Sequence, residues 1–324
     1  MRMLIAGGTS FVGRAIAWSA FRGGHDVTVI NRGVTPSDLP DAIRRLVGDR
    51  TGDFSALAGL SFDATIDTVA YLPRDVQVLA SALADRGGHH IQISSVSAYA
   101  EPPFPGATES TATLRDDPDL DPNGPVTSTS YGPLKAACER LATGLFGPDT
   151  TFVRPTFVIG SHDATLRFPY WVERVRRGGE IAVPGPRANA MQYVDARDLA
   201  DFVVRVAEHS LRGAFHVAGP YPSSHFVEVV EQTARHLAPP NTTIREVTPE
   251  SVIEEHLETK FPLWTGARSE NTLGVDNSLA LANGLRLRPL EESVDDVVAW
   301  WGDREWPAHW LTSDQEGRLL RTSK

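Results

Sequence analysis

The sequence predicts an α/β fold in which a doubly wound parallel sheet carries a smaller C-terminal lobe. Short apolar runs alternate with amphipathic segments in the N-terminal half, as in sheets whose strands are joined by crossover helices. Polar and glycine residues recur where the predicted strands end. A chain of 324 residues has room for about two domains. We predict a first domain over 1–160, completed by segments around 190–220. The remaining 161–324 would form mainly the lobe, interleaved with that core.

The strands and helices follow from local periodicity. Phe11–Phe21 repeats apolar residues every three to four positions, as a helix does, and Asp26–Asn31 alternates β-branched residues, as a strand does. By the same criteria the other strands are Met3–Ala6, Arg44–Val47, Asp63–Ala70, His90–Ser94, Thr151–Ile159 and Ala214–Val217. The other helices are Asp75–Ala84, Tyr131–Phe146 and Leu199–Glu208. Glu101–Ser130, rich in proline and acidic residues, is predicted to be a loop.

Composition excludes several classes of protein. The 41 acidic and 31 basic residues give a net charge of −10, which disfavours non-specific nucleic-acid binding. A single cysteine, Cys138, excludes an intrachain disulfide and any multi-cysteine metal site. The sequence has no apolar run of the roughly 20 residues that span a bilayer. The apolar start, Met1 to Ala6, is too short for a signal peptide, so a cytoplasmic protein is expected.

A glycine-rich turn follows the first predicted strand. Gly7, Gly8 and Gly13 lie in IAGGTSFVG, and Ser10 stands where a G-x-x-G-x-x-G pattern has its middle glycine. Glycines allow a tight turn, and the helix that follows presents free N–H groups to a pyrophosphate. The segment therefore predicts a Rossmann-type dinucleotide site.

The end of the second strand indicates which dinucleotide binds. Asn31 and Arg32 stand where an acidic residue would hydrogen-bond the ribose of NAD. The 2′-phosphate of NADP would meet no carboxylate at this point and could pair with Arg32. NADP is therefore favoured over NAD.

Ser95, Tyr131 and Lys135 form the candidate catalytic set. Ser95 follows the fifth predicted strand, whose carboxyl end faces ligands in such sheets, and Tyr131 and Lys135 are i,i+4 neighbours on a helix. A phenol with an ordinary pKa of about 10 needs a lower value to exchange protons near neutrality. We expect Lys135 and an oxidised nicotinamide to lower the pKa of Tyr131, while Ser95 orients the substrate oxygen.

With these motifs the chain resembles the extended and atypical short-chain dehydrogenase/reductase superfamily, in its NAD-dependent epimerase/dehydratase group. GGTSFVG, the serine four positions before Tyr99, and the YxxxK of Tyr131 and Lys135 carry the resemblance, and the segments around Arg154, Asp195 and Asp276 extend it over nearly the whole chain. The resemblance implies a homodimer. It also implies cofactor contacts at Gly7, Thr9, Ser10, Phe11, Val12, Asn31, Arg32, Asp49, Ala70, Tyr71, Lys135, Pro155 and Thr156.

The chain departs from the family pattern at the two positions that follow Ser95. Dehydratases of the superfamily carry an Asp-Glu pair after the serine, whereas this chain has Val96 and Ser97, which argues against water elimination. Arg167, Arg174, Arg176 and Arg177 are the nearest basic residues for a sugar-nucleotide diphosphate, and we interpret them mainly as a solvated helix face.

Four residues are candidates for substrate contact: Ser97, His162, Arg167 and Tyr193. Glu109, in the predicted loop, is as compatible with a structural role as with ligand binding. No metal site is predicted, because the side chains of His89 and His90 diverge on a strand.

The combined prediction is an NAD(P)-dependent oxidoreductase. It would transfer a hydride between nicotinamide and a carbonyl or secondary alcohol of a small organic or sugar-like substrate. An NAD-dependent epimerase of sugars or sugar nucleotides that retains its cofactor is the first alternative. A non-catalytic scaffold that binds a dinucleotide or RNA is the second, from another class.

Overall fold

The computed structural model describes residues 1–51, 54–100, 105–111, 114–266 and 274–322. Its strands are β1 (Arg2–Ala6), β2 (Asp26–Asn31), β3 (Arg44–Val47), β4 (Ala64–Asp67), β5 (His89–Ile93), β6 (Thr151–Pro155), β7 (Phe157–Ile159), β8 (Glu180–Pro184), β9 (Ala190–Met191), β10 (Tyr193–Asp195), β11 (Gly213–Val217), β12 (Ser224–His225) and β13 (Thr243–Val247). Its helices are α1 (Phe11–Arg22), α2 (Pro73–Leu83), α3 (Tyr131–Phe146), α4 (Arg167–Arg177), α5 (Ala196–Glu208), α6 (Phe226–Leu237), α7 (Pro249–Glu254), α8 (Ser278–Ala282), α9 (Leu290–Trp301) and α10 (Ser313–Thr322).

A parallel seven-stranded sheet occupies the centre, in the order β11-β6-β5-β4-β1-β2-β3. The chain runs outward from β1 to β3 and then places β4 on the other side of β1. Doubly wound sheets bind ligands at the carboxyl ends of strands where the order reverses in this way. The predicted fold class is confirmed. The strand order reverses between β1 and β4, so a ligand site is expected at the carboxyl ends of these strands.

Helices cover both faces of this sheet. On one face Ile16 and Ala20 of α1 pack with Val203 of α5 against the strands. On the other face α2 and α3 bury Leu79 and Cys138. Burial on both sides explains why β1 is apolar at successive positions rather than at alternating ones.

Two predicted strands have different limits in the structure. The run Thr151–Ile159 is divided, because β6 pairs in the main sheet whereas β7 pairs with β10. The run Asp63–Ala70 ends as a strand at Asp67, whose carboxylate accepts the N–H of Val69 at 3.0 Å and turns the chain. The predicted loop is free of helices and strands in its described parts, and residues 101–104 and 112–113 lie outside them.

A second core belongs to the C-terminal part of the chain. Its centre is aromatic, with Tyr170 and Trp171 of α4 packed against Phe226, Trp301 and Trp310. α5 and β11 pack instead with the first core. Over the described ranges, each helix is too short or too polar to cross a membrane.

Candidate active site

The turn between β1 and α1 is shaped by glycine. Gly7 has a φ of +93°, and a Cβ built on it would lie 2.6 Å from Oγ1 of Thr68 beyond β4. A Cβ on Gly13 would collide with the carbonyl oxygen of Gly7. Both glycines therefore let α1 approach the sheet closely.

Ser10 occupies the middle position of the turn without requiring glycine. Its backbone is extended, with a φ of −137°, whereas the next residue, Phe11, has a φ of +37°. The amide of Arg14 donates to the carbonyl of Ser10 at 3.1 Å, so the amides that precede it at the start of α1 lack partners within the helix. These N–H groups suit a pyrophosphate.

Two cavities meet at this turn. One, of about 400 Å³, extends toward β2 and β3, and the other, a cleft of about 450 Å³, extends over β5 toward α3. Gly7, Ser10, Val69 and Tyr71 line both. Because they share these residues, the two cavities form a groove along the carboxyl ends of the strands, with one cavity for each half of a dinucleotide.

The first cavity contains the predicted adenosine-side residues Thr9, Asn31, Arg32 and Asp49. Oδ1 of Asn31 accepts the N–H of Gly33 at 2.7 Å. Arg32 is exposed, and no hydrogen bond of its guanidinium is found within the described ranges. Hydrogen bonds from Thr51, assisted by the charge of Arg32, lower the pKa of Asp49.

Sequence reasoning missed an ion pair between Arg50, which lines the same cavity, and Asp67 behind it. Nη2 of Arg50 lies 2.6 Å from Oδ1 of Asp67, and Asp67 is fully buried. The guanidinium of Arg50 also lies over the ring of Phe54. The sequence does place Arg50 shortly after β3 and Asp67 at the end of β4. Since parallel strands bring their carboxyl ends to one edge of the sheet, this charge pattern could have indicated the pair.

Tyr131, the first residue of α3, shares the cleft with Ser95. Burial raises the pKa of the Tyr131 phenol, although the nearby hydroxyl of Ser95 and the charge of Arg167 act in the opposite direction. Among the groups of the protein itself, desolvation is therefore the largest influence on this pKa. The phenol is protonated at neutral pH and can donate to a carbonyl oxygen.

Lys135 is buried one helical turn beyond Tyr131. Its Nζ donates to the carbonyl oxygens of Ala70 at 3.0 Å and Ile93 at 2.7 Å, and lies 5.3 Å from the centre of the Tyr71 ring. Burial lowers the pKa of the ammonium. Lys135 is thus held where β4 and β5 end.

The remaining cofactor and substrate candidates divide between the cleft and other places. Phe11, Val12, Pro155, Thr156, Ser97 and Arg167 line the cleft. His162 does not, because the chain turns at this residue with a φ of +63° and its ring lies 5.2 Å from that of Trp300. Tyr193 does not either, because β10 carries it into the C-terminal core, where burial raises its pKa to about 12.

Of the other arginines of α4, Arg176 and Arg177 are exposed, as a solvated face requires, whereas Arg174 is not. Arg174 is buried, with Nε 2.9 Å from Oε2 of Glu316, and Arg176 contacts Glu173 at 2.8 Å. Arg177 is exposed, but its guanidinium lies over the ring of Trp306. These groups are engaged outside the cleft.

Several polar side chains outside the cleft have structural partners. Glu109 accepts the backbone N–H of His216 at 2.7 Å, and His89 contacts Oγ1 of Thr151 at 2.8 Å. His90 stacks on Phe146 with ring centres 3.7 Å apart. Within the described ranges, no three or more potential metal ligands lie together.

The strand order and the helices define an α/β protein of Rossmann type, and its groove has a shape that suits a dinucleotide. The turn at Gly7 and Gly13 and the free amides of α1 suit a pyrophosphate, and the cavities on either side suit the two nucleosides. The sequence model of the NAD dependent epimerase/dehydratase family matches residues 3–218. The chain belongs to this family.

Known structures share the fold at low sequence identity. UDP-N-acetylglucosamine 4-epimerase from Bacillus cereus is 15% identical, with a TM-score of 0.67 over 96% of this chain and 100% of that one. DesIV, a dTDP-glucose 4,6-dehydratase from Streptomyces venezuelae solved with NAD and TYD bound, is 19% identical, with a TM-score of 0.66 over 93% and 99%. These similarities show the fold.

A curated relative is chloroplast stem-loop binding protein of 41 kDa b from Arabidopsis thaliana. It is 25% identical over 236 residues, which are 67% of this chain. The match spans 58% of the relative's length, so less than two thirds of that protein is represented.

Proposed function

We propose that this chain is an NAD(P)-dependent oxidoreductase that interconverts a carbonyl and a secondary alcohol. The observation that carries the proposal is the meeting of Ser95, Tyr131 and Lys135 in one cleft, at the end of a groove that fits a dinucleotide. A bound nicotinamide supplies or accepts the hydride in such a reaction.

The protein residues would handle the proton and the substrate oxygen. The protonated phenol of Tyr131 would donate to the carbonyl oxygen in reduction, and the phenolate would accept the hydroxyl proton in oxidation. Ser95, which lines the cleft beside Tyr131, would hold the same oxygen. Lys135 would move from its carbonyl partners toward a ribose hydroxyl and, as a cation, would stabilise the phenolate.

NADP is the proposed cofactor, with NAD as the weaker ligand. Two observations support this choice. The guanidinium of Arg32 has no hydrogen-bonding partner within the described ranges, and the residue before it, Asn31, is not acidic. The 2′-phosphate would gain a charge-assisted contact there. Against this stand the family's name and the NAD bound to fold neighbours such as DesIV.

A cofactor-retaining epimerase is the second candidate. The name of the matching family and the sugar-nucleotide epimerases among its fold neighbours favour it. A dehydratase is disfavoured, because Val96 is buried and Ser97 has no acidic side chain. An RNA-binding scaffold has support in the name of the Arabidopsis relative, but the net charge of −10 opposes it.

The test begins with the purified protein and its bound small molecules. Mass spectrometry identifies retained cofactor, and nicotinamide fluorescence then follows titration with NADPH and NADH. We expect an empty site that binds NADPH at least about tenfold more tightly, a preference that Arg32→Gln abolishes. Arg44→Gln, an equal charge change at an exposed position on β3, is the control.

The other outcomes choose between the candidates. Stoichiometric retained NAD would favour the epimerase. Failure to bind either dinucleotide would refute the oxidoreductase, and saturable, salt-sensitive RNA binding by such a protein would favour the scaffold.

A further inference from the structure

A third cavity lies along one face of α1, outside the dinucleotide groove. Its volume is about 280 Å³, close to the roughly 300 Å³ at which small-molecule sites begin. One wall is a stripe of α1 side chains at helical spacing: Phe11, Arg14, Trp18 and Arg22. The other walls come from the chain after β7, the start of α5 and α9. Among the described residues only Phe11 also lines the cleft, so this cavity is separate from the proposed active site.

The apolar part of this cavity is aromatic. Phe11 and Trp18 lie two helical turns apart on the same face of α1, and the ring of His162 belongs to the same lining. Burial and the charge of Arg14 lower the pKa of His162, so its imidazole is mainly uncharged at neutral pH. Nε1 of Trp18 is buried and has no acceptor in the part of the chain that the structure describes. The cavity therefore offers ring surfaces, and an indole donor that the protein leaves unpaired, to a flat aromatic group.

The two arginines on the α1 wall differ in their partners. Nε and Nη2 of Arg14 donate to the two carboxylate oxygens of Asp38 at 2.7 and 2.5 Å. Nη2 of Arg22 lies 3.9 Å from Oδ1 of Asp201, beyond hydrogen-bond distance, and that oxygen already accepts the hydroxyl of Ser19 at 2.6 Å. Arg22 makes no hydrogen bond to any described residue. Its guanidinium is therefore the cation of this wall that can bind a ligand.

A carboxylate on the α9 side is only partly paired. Nε and Nη2 of Arg197 donate to the two carboxylate oxygens of Asp195 at 3.0 and 2.8 Å. Nη1 of the same guanidinium lies 3.4 Å from Oδ1 of Asp296, which accepts no hydrogen bond within the described ranges. One guanidinium cannot neutralise two carboxylates, so Asp296 keeps the capacity to bind a second cationic group.

The cavity thus presents one available cation and one available carboxylate beside aromatic rings. A simple anion would be attracted to Arg22 but repelled by Asp296, and a simple cation would meet the reverse. A zwitterion can form charge-assisted hydrogen bonds with both side chains. The small molecules that combine a carboxylate, an ammonium group and an aromatic ring are the aromatic α-amino acids.

We propose that this cavity is a second ligand site, which binds an aromatic α-amino acid as its zwitterion. Arg22 would bind the α-carboxylate, and Asp296 would accept the N–H groups of the α-ammonium. The side chain of the ligand would pack among the rings of Phe11, Trp18 and His162. The site lies outside the groove, so the inference does not rest on the proposed function.

The test separates the contributions of the two charges of the ligand. L-phenylalanine, L-tyrosine and L-tryptophan are titrated into the protein by calorimetry, with and without saturating NADPH. The corresponding amines lack the α-carboxylate, and the corresponding arylpropionates lack the α-ammonium. We expect at least one amino acid to bind, and both of its analogues to bind about tenfold or more weakly. Saturating NADPH should not compete with it.

Variants assign each preference to one side chain. Arg22→Gln should abolish the advantage of the amino acid over its amine but keep its advantage over the arylpropionate, and Asp296→Asn should do the reverse. The matched controls are Arg44→Gln on β3 and Asp303→Asn after α9, which make the same charge changes at exposed positions outside the cavity. Both controls should keep both preferences. Thermal unfolding establishes that each variant is folded.

Four results would overturn the inference: no binding by any of the three amino acids, equal binding of amino acid and analogues, preferences that persist in both Arg22→Gln and Asp296→Asn, or competition with NADPH, which would place the ligand in the groove. Each of them leaves the proposed oxidoreductase standing, because that proposal is tested by dinucleotide binding alone. Failure of the wild-type protein to bind a dinucleotide would refute the proposed function and leave the amino-acid site to its own test.

Discussion

Arg154 and Glu139 form a bidentate ion pair between β6 and α3. Nε and Nη2 of Arg154 reach the two carboxylate oxygens of Glu139 at 2.9 and 2.5 Å, and both side chains are buried. Glu139 lies one turn beyond Lys135 on α3, and Nη1 of Arg154 donates to the hydroxyl of Tyr99 at 2.8 Å. The pair therefore fixes the helix that carries Tyr131 and Lys135 against the sheet.

Glu139→Gln should destabilise the protein strongly. The substitution keeps the size of the side chain but leaves the Arg154 guanidinium as an uncompensated buried charge, which costs about 3–5 kcal/mol of unfolding free energy. Urea denaturation measures the loss. Glu258→Gln, the same change at an exposed residue, is the control, and similar losses in the two variants would contradict this account.

Gly13→Ala should disrupt the groove at its centre. The added methyl would collide with the carbonyl of Gly7, so α1 must move away from the turn. We expect both NADPH affinity and unfolding free energy to fall. Gly144→Ala on α3 is the matched control, because its methyl would meet open space and should stabilise the helix by up to about 1 kcal/mol. Unchanged affinity in Gly13→Ala would show that the turn tolerates a side chain.

The central sheet could be predicted from sequence because its signals are local. Strands such as β1 are buried on both faces and appear as short apolar runs, and glycine marks the turn after β1. Contacts between distant segments could not be predicted. Three features depend on how separate elements pack: the Arg50–Asp67 ion pair, the turn that places His162 outside the cleft, and the Arg174–Glu316 ion pair.

The pKa of Tyr131 is another property that the sequence alone could not predict. Sequence spacing places it near Lys135, but the dominant effect on its pKa is burial, which only the packed structure reveals. Sequence spacing thus predicts that Tyr131 and Lys135 are neighbours, but it does not predict the burial that governs the pKa of Tyr131.

Tyr131→Phe should abolish turnover while leaving NADPH affinity within a few-fold. The change removes the proton donor but keeps the ring on α3, so the dinucleotide groove is preserved. Once a substrate is found, nicotinamide absorbance measures turnover and fluorescence measures binding. Tyr221→Phe, the same change at an exposed residue, is the control. Full activity in Tyr131→Phe would reject the acid–base assignment.

His90 should make the protein sensitive to acid. Burial lowers the pKa of this histidine to about 4, and the nearby Asp67 carboxylate offsets that effect only in part, while Arg50 reinforces it. The unfolded chain takes up the proton near its ordinary pKa of about 6.5. Between these values the unfolded state binds more protons, so stability is full above pH 6.5 and is lost as the pH falls toward 4.

Replacing His90 with phenylalanine tests this linkage. His90→Phe retains a ring to stack on Phe146 but cannot take up a proton. Unfolding free energies from urea titrations between pH 7 and 4 should show a shallower acid slope, by up to about 1.4 kcal/mol per pH unit. His209→Phe, at an exposed position after α5, should keep the wild-type slope. If His90→Phe and the wild type lose stability in parallel, the buried histidine is not the group that responds to acid.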